Sequence, residues 1–282
     1  MNQATDYFAM IPSATDTIYC QNTVLIYSIL SQKFEVEIIS ETTIKSVRLT
    51  SNRLIVVTED KIDIFKFRTG IRHLASYKTY PNPMGLCEIT PLIIPGKNFI
   101  VYPGITIGSI YFMEITAELE IYFRGLSTTG KIDAHDEEIS CLAINPTGAL
   151  IASSSSKGTS IRIWNIHLKV MVAELSLGPN TATLSCMNFS PNSEFVCCSN
   201  AKGKIQVFKL IKSNLNRQSS SSQTALASFT LTSETGCICT FSNRDTVVAI
   251  SLDGIYRILK LSNDGISCIQ EQRLTFLRRP RN

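Results

Sequence analysis

Within ten residues, Ser153, Ser155, Lys157, Gly158, Thr159 and Arg162 gather three hydroxyls, a glycine turn and two cations. Hydroxyls and turn amides donate directional hydrogen bonds to an oxyanion, and arginine adds a charged planar fork. Gly158 would let the turn backbone approach a phosphate closely. The chemistry such a set offers is capture, not catalysis. The string SSSSKGT also reads as an ordinary polar hairpin turn, where Ser, Lys and Gly are common. Just downstream, Ser176, Leu177 and Gly178 lack the charges an anion site would want. Further on, Lys202 and Lys204 offer point charges without bidentate geometry.

Nothing else in the chain assembles into a reactive set. His73, His135 and His167 lie in different units, and none stands at metal-ligand or nucleophile-base spacing to a Cys, Asp or Glu. The nine cysteines show no paired CxxC: Cys197 and Cys198 are adjacent, and Cys237 and Cys239 alternate along a strand. An odd number without an export signal suits reduced, buried thiols in a cytoplasmic protein. We expect no enzyme, no cofactor and no metal. The net charge of +4 permits an anionic partner but falls short of a nucleic-acid binder. The start, MNQATDYFAMIPSATD, lacks a basic region followed by an apolar core, so no signal peptide is expected. No run of about 18 apolar residues exists, so no transmembrane segment is expected.

These residues are positioned by short strands. Helical periodicity is nearly absent, and runs rich in Ile, Val, Thr, Phe and Tyr alternate with Gly, Asn, Pro and Ser turns. Six units share one outline: Tyr7 to Leu30, Val47 to Phe67, Leu86 to Ile115, Ile139 to Ile166, Leu184 to Leu210, and Ile238 to Leu261. Each ends in an outgoing strand, such as KIDIFKF, SIRIWNI or KIQVFKL. Spacing of roughly 40–50 residues fits four strands per blade. The expected fold is all-β: a single β-propeller domain over residues 1–282, of WD-repeat type with six or seven four-stranded blades. Strands from Gly265 to Leu277 are expected to close the ring in a blade shared with the N-terminus. Residues 211–226 read as a polar loop and 278–282 as a solvated basic tail.

Several ordered motifs resemble the PROPPINs, the seven-bladed phosphoinositide-binding propellers that include the WIPI proteins of autophagy. IKSVRLTSNRLIVVTEDKIDIF (Ile44 to Phe65) is similar to that family's third blade. YPNPMGLCEI (Tyr80 to Ile89) is similar to its turn, and IVYPG (Ile100 to Gly104) to the strand that follows. IDAHDEEISCLAINPTGALIASSSSKGTSIRIW resembles the fifth blade. Ala182 to Asn200 and Ala225 to Phe241 resemble the sixth and seventh, in the branch nearest the third and fourth human WIPI proteins. The resemblance runs from about Ile44 to Leu261. Residues 7–30 fit the family's second blade better than its first, and a ring without a first blade would have six blades or close irregularly.

The resemblance implies two shallow pockets flanking a Phe/Leu-Arg-Arg-Gly motif. Here the matching positions are Leu175, Ser176, Leu177 and Gly178, and both arginines are gone. Phe123-Arg124-Gly125 lies one blade too soon to replace them. Ser153, Ser155, Gly158, Thr159 and Arg162 match the first pocket. In the second, Asn200 takes a Ser position, and Lys204 and Gln206 replace a Thr and a His, with Lys202 nearby. Phosphatidylinositol 3-phosphate binding, if kept, is expected to be weakened, and restoring arginine at 176 and 177 to strengthen it. The family's membrane-inserting loop would fall at Leu210 to Ala227, which is Ser-rich and lacks aromatics. Loops of blades two and three engage a lipid-transfer protein of autophagy in the family, which makes Tyr80, Pro81, Asn82 and Pro83 a candidate partner loop. The same four residues also read as a stiff Pro-fixed connection. The expected role is a scaffold in autophagy or endomembrane traffic, peripheral on autophagic or endosomal membranes. The alternative is an interaction scaffold that no longer reads phosphoinositides.

Overall fold

Short apolar runs punctuated by turns bury one face at a time, and so fold as antiparallel strands in stacked sheets. The computed structural model describes residues 6–67, 70–90, 98–115, 129–178, 182–211, 222–231, 236–261 and 268–275. Those residues form six sheets in chain order and no helix. The first holds β1 (Tyr7–Met10), β2 (Thr23–Ser28) and β3 (Lys33–Ile39). The second is β4 (Ser46–Leu49), β5 (Arg53–Val57), β6 (Lys61–Lys66) and β7 (Arg72–Lys78). The third is β8 (Glu88–Ile89), β9 (Phe99–Pro103), β10 (Ser109–Glu114) and β11 (Thr129–Asp133). The fourth holds β12 (Ile139–Ile144), β13 (Leu150–Ser155), β14 (Ser160–Asn165) and β15 (Val170–Ser176). The fifth is β16 (Leu184–Phe189), β17 (Phe195–Asn200) and β18 (Lys204–Lys209), closed by β20 (Ala227–Thr230). Between β18 and β20 lies β19 (Ser222–Gln223), which joins the fourth sheet instead. The sixth is β21 (Cys237–Phe241), β22 (Thr246–Ser251), β23 (Ile255–Leu261) and β24 (Cys268–Thr275).

From the second sheet on, each expected unit spans the first three strands of one sheet, whereas Tyr7 to Leu30 ends after β2 of the first. The strand after the outgoing one, β3 in the three-stranded first sheet and the fourth strand in the others, pairs with its outer edge. In four sheets a bulge interrupts that outer pairing, at Ile26/Tyr27, Ile64/Phe65, Ile163/Trp164 and Ile258/Leu259. A bulge adds local twist, and its recurrence marks the repeat as structural as well as sequential.

The core lies between sheets. Five apolar clusters fill the five junctions between successive sheets. Val24 and Ile26 meet Leu54 and Val56 at the first, and Val57 and Ile64 meet Ile100 and Tyr102 at the second. Val101 and Ile110 meet Ile151 and Trp164 at the third. Ile161, Leu175 and Leu177 meet Leu184 and Phe208 at the fourth, and Ile205 and Val207 meet Cys239 and Val247 at the fifth. Face-to-face stacking of radial sheets is the blade architecture of a β-propeller.

Two expectations change. The closing strand does not pair with the N-terminus: β24 is the fourth strand of the sixth sheet, antiparallel to β23, while β1 pairs with β2. The outgoing β23 carries an open edge, and the next segment of chain satisfies it locally. Nor is all of 211–226 a loop. Ser222 and Gln223 pair in parallel with Glu174 and Leu175, adding a fifth strand to the fourth sheet. Backbone pairing at an exposed edge needs no apolar side chain, so composition gave no sign of it. Residues 212–221, Phe123-Arg124-Gly125 and the basic tail lie outside the described residues.

Candidate functional site

The β14–β15 hairpin brings the two halves of the predicted site side by side. Ser160 pairs with Ser176 and Ile161 with Leu175, and the Leu177 amide donates to the Thr159 carbonyl at 3.0 Å. Strand alternation then sorts the side chains between two junctions. Ser160, Arg162, Glu174 and Ser176 face the third sheet, whereas Ile161, Leu175 and Leu177 face the fifth. Leu177 is only 6% exposed and belongs to the apolar cluster there. One of the two positions matching the family's arginines is thus a core residue.

On the third-sheet side, Arg162 is engaged within the protein. Its Nη1 donates to the Ala134 carbonyl at 2.6 Å, and its Nε lies 3.4 Å from Glu174 Oε1. Glu174 also accepts a hydrogen bond from Ser160 Oγ at 2.8 Å. The cation thus carries its own counter-ion. Ser153 is fully buried, and its hydroxyl meets His135 Nε2 at 2.9 Å and accepts from the Trp164 indole at 3.0 Å. Burial first, and then the Arg162 charge, push the His135 imidazole down to about 4, so it is neutral at pH 7. His135, Ser153 and Trp164 form a hydrogen-bonded strut inside the blade, with Ser153 drawn into the interior and away from any ligand.

The Ser156–Thr159 turn rises from β13 to the rim. Thr159 and Lys157 are exposed, Gly158 and Ser155 are buried, and Lys157 Nζ lies 3.9 Å from Glu137 Oε1. Gly158 adopts φ +64°, and a Cβ placed there would stand 2.9 Å from the Ala182 carbonyl oxygen. Glycine therefore lets the turn close against the chain entering the fifth sheet, a packing role that sequence alone did not distinguish from phosphate approach. Gly178 also has positive φ, +91°, but opens onto unfilled space.

The fifth-sheet side carries the cations Lys202 and Lys204. Ala201 N donates to the Thr183 carbonyl at 3.3 Å, which sets the β17–β18 turn beside the Gly158 turn. The Asn200 side chain accepts from the amides of Lys202 and Lys204 at 3.1 and 2.9 Å and so fixes that turn. Lys202 is exposed and Lys204 half-buried, and among the described residues neither has a carboxylate at ion-pair distance. Gln206 is buried below them.

The Tyr80–Pro83 loop is pinned at both ends. Tyr80 N donates to Gly104 O and Asn82 N to Glu59 O, each at 2.6 Å. Asn82 is buried, and its side chain bridges to both backbone groups of Leu86. Pro81 and Pro83 remain exposed beside a cavity of about 180 Å³ that Tyr80, Pro103, Glu138 and Thr183 help to line. Met84, Ile105 and Ile107 stand exposed in the same region of chain.

One cluster was not foreseen. His73 Nε2 lies 3.0 Å from Ser76 Oγ and 3.4 Å from Asp63 Oδ1, and Ser76 also donates to Asp63. Serine and aspartate meet the same ring nitrogen, so the aspartate cannot orient the imidazole from its other side as a nucleophile relay requires. Only the β6–β7 register, Asp63 opposite Ser76, brings these residues together. Among the described residues no group of three or more His, Cys, Asp or Glu could hold a metal, and no helix is long and apolar enough to cross a membrane.

A family profile described as PROPPIN matches residues 27–229. SVP1-like protein 2 of Schizosaccharomyces pombe is 29% identical over 192 residues, covering 68% of this chain and 50% of that protein. Autophagy-related protein 18 of Dictyostelium discoideum is 32% identical over 179 residues, or 63% and 45% of the two chains. The chain thus spans about half the length of these curated relatives. Among solved structures, Kluyveromyces lactis Hsv2 superposes with a TM-score of 0.80 at 18% identity, over 98% of this chain and 85% of that one. The complex of KlAtg21 with the coiled-coil of AgAtg16 gives 0.72 at 17% identity, over 96% and 82%. These structural likenesses establish the β-propeller fold.

Proposed function

The chain belongs to the PROPPIN family, and from that premise we propose that it is a non-catalytic scaffold of autophagy or endomembrane traffic, held weakly on membranes containing phosphatidylinositol 3-phosphate. The observation that carries this reading is the pair Lys202 and Lys204, with no carboxylate at ion-pair distance among the described residues, on the same rim as the Thr159 and Gly178 turns. A phosphomonoester there meets two ammonium groups and the exposed Thr159 hydroxyl. Both lysines act as point charges, so attraction outweighs orientation and binding falls steeply with salt. Losing two arginine contacts removes roughly 1.5–3 kcal/mol each, which places affinity orders of magnitude below that of a double-arginine site. Within the 211–226 segment Ser222 and Gln223 form an edge strand on the fourth sheet, which favours surface attachment over insertion.

The second function is a partner surface at Tyr80–Pro83. Its backbone is fixed by hydrogen bonds while its prolines stay exposed, so a protein partner, an autophagy lipid-transfer protein or another scaffold, binds it with little ordering cost. A reading without phosphoinositides has its own support: Arg162 is neutralised by Glu174 and Leu177 is buried.

Flotation separates the two readings. The lipid reading predicts recovery with vesicles containing phosphatidylinositol 3-phosphate at low salt, falling at physiological salt, and none with phosphatidylcholine alone. Equal recovery on both vesicles, or none on either at low salt, leaves the partner scaffold as the function.

A further inference from the structure

A line of sulfurs crosses the junction of the fifth and sixth sheets. Cys186 Sγ lies 3.5 Å from Cys239 Sγ, which in turn lies 3.8 Å from Cys197 Sγ. Cys186 stands on β16 and Cys239 on β21, the first strands of their sheets. The Cys186 sulfur is seated against its partner's backbone: the Cys239 amide donates to it at 2.9 Å, and the Cys239 carbonyl lies 3.2 Å away. The Ser199 hydroxyl is 3.3 Å from it on the other side. A sulfur 2.9 Å from its partner's amide nitrogen holds the two Cα atoms within about 7 Å, near the upper limit that a disulfide bridges. Cys186 is partly accessible, whereas Cys197 and Cys239 are buried.

We propose that Cys186 and Cys239 are a modification site, at which a hydroperoxide converts the thiol pair to a disulfide that clips the fifth sheet to the sixth. The Cys186 thiolate attacks the outer peroxide oxygen; an S–O bond forms, the O–O bond breaks, and the alkoxide takes up a proton and leaves as an alcohol. The Cys239 sulfur then attacks the sulfenic sulfur; the S–S bond forms, the S–O bond breaks, and hydroxide leaves as water with the Cys239 proton. Two electrons pass from the two sulfurs to the peroxide. Cys186 acts first because it alone of the three is accessible, and Cys239 resolves because it is the nearest thiol. Hydrogen bonding with Cys239, and then burial, hold the Cys186 thiol well above its usual range. The reaction is therefore slow at neutral pH and quickens about tenfold per pH unit as thiolate accumulates. This inference stands on the thiol geometry and is independent of the lipid and partner readings.

The test treats the reduced 282-residue chain with tert-butyl hydroperoxide at pH 7 and pH 8.5, then denatures, alkylates with iodoacetamide, and measures intact mass and peptide maps. The expected result is two fewer alkylated thiols than the nine of the reduced chain. The map should show a Cys186–Cys239 linked peptide, formed at least tenfold faster at pH 8.5 and reversed by dithiothreitol. Cys186→Ser should keep every remaining thiol alkylated, whereas Cys198→Ser should lose two thiols as the parent chain does. Full alkylation at both pH values, a linkage to any other cysteine, or loss of two thiols in Cys186→Ser overturns the proposal.

Discussion

Arginine placed at 176 and at 177 should have opposite consequences, although the two positions are adjacent. Ser176 lies on the third-sheet face of β15, opposite Ser160 and beside the Arg162–Glu174 pair. Ser176→Arg adds a second cation to a face whose single cation is already matched. Its net charge rises by one, at a partly exposed site that costs about 0.5 kcal/mol or less of stability. One new charge-assisted phosphate contact is worth roughly 1.5–3 kcal/mol, or about ten- to a hundredfold in affinity. Leu177 packs among Ile161, Leu175 and Leu184. Leu177→Arg forfeits about 2–3 kcal/mol of burial even if the longer side chain reaches out to the rim. The melting temperature should fall by roughly 3–5 °C. Scanning fluorimetry read beside flotation at graded phosphatidylinositol 3-phosphate content separates the two terms. Two results would refute the reasoning: unchanged flotation for a folded Ser176→Arg protein, or an unmoved melting temperature for Leu177→Arg. Strand alternation thus assigns the gain in binding expected from arginine at 176 and 177 to position 176 and a cost in stability to position 177.

Two further predictions follow from the interior. His135 titrates at about 4 when folded and near 6.5 when unfolded. The unfolded chain then binds the extra proton, so stability is full above pH 6.5 and falls as the pH drops towards 4, by up to about 3 kcal/mol. Urea unfolding at pH 7, 5.5 and 4 measures this fall, and His135→Gln should flatten it; an unchanged slope in the variant would show that other groups carry it. Tyr102 is fully buried beside Tyr77 and Tyr111, and among the described residues its hydroxyl has no hydrogen-bond partner. Tyr102→Phe removes an unsatisfied donor and should leave stability unchanged or raise it by about 1 kcal/mol; a loss above that size would mean the hydroxyl has a partner.

The blades were legible because each outgoing strand repeats one pattern, as in KIDIFKF, SIRIWNI and KIQVFKL, and burial between two neighbours demands it. The fourth strands were not. Arg72–Lys78 and Ala227–Thr230 pair at the outer edge with several exposed residues, so their alternation is faint. At the site, the turn at 156–159 could be read, because Ser, Lys, Gly and Thr carry its chemistry locally. The partners that disarm it could not. Glu174 reaches Arg162 only through cross-strand register, and His135 reaches Ser153 from the chain before β12. Residue types alone do not contain that register. The same limit hid the contact between His73, Ser76 and Asp63.

The central claim is that attachment runs through the lysines of the fifth-sheet rim and not through Arg162. Flotation of the Lys202→Glu/Lys204→Glu double variant beside Arg162→Ala, on vesicles containing phosphatidylinositol 3-phosphate at low salt, tests it most directly. The lysine reversal should abolish recovery, while Arg162→Ala, which also frees Glu174, should lower it only partly. Full recovery of the lysine variant, with both proteins folded, would contradict it.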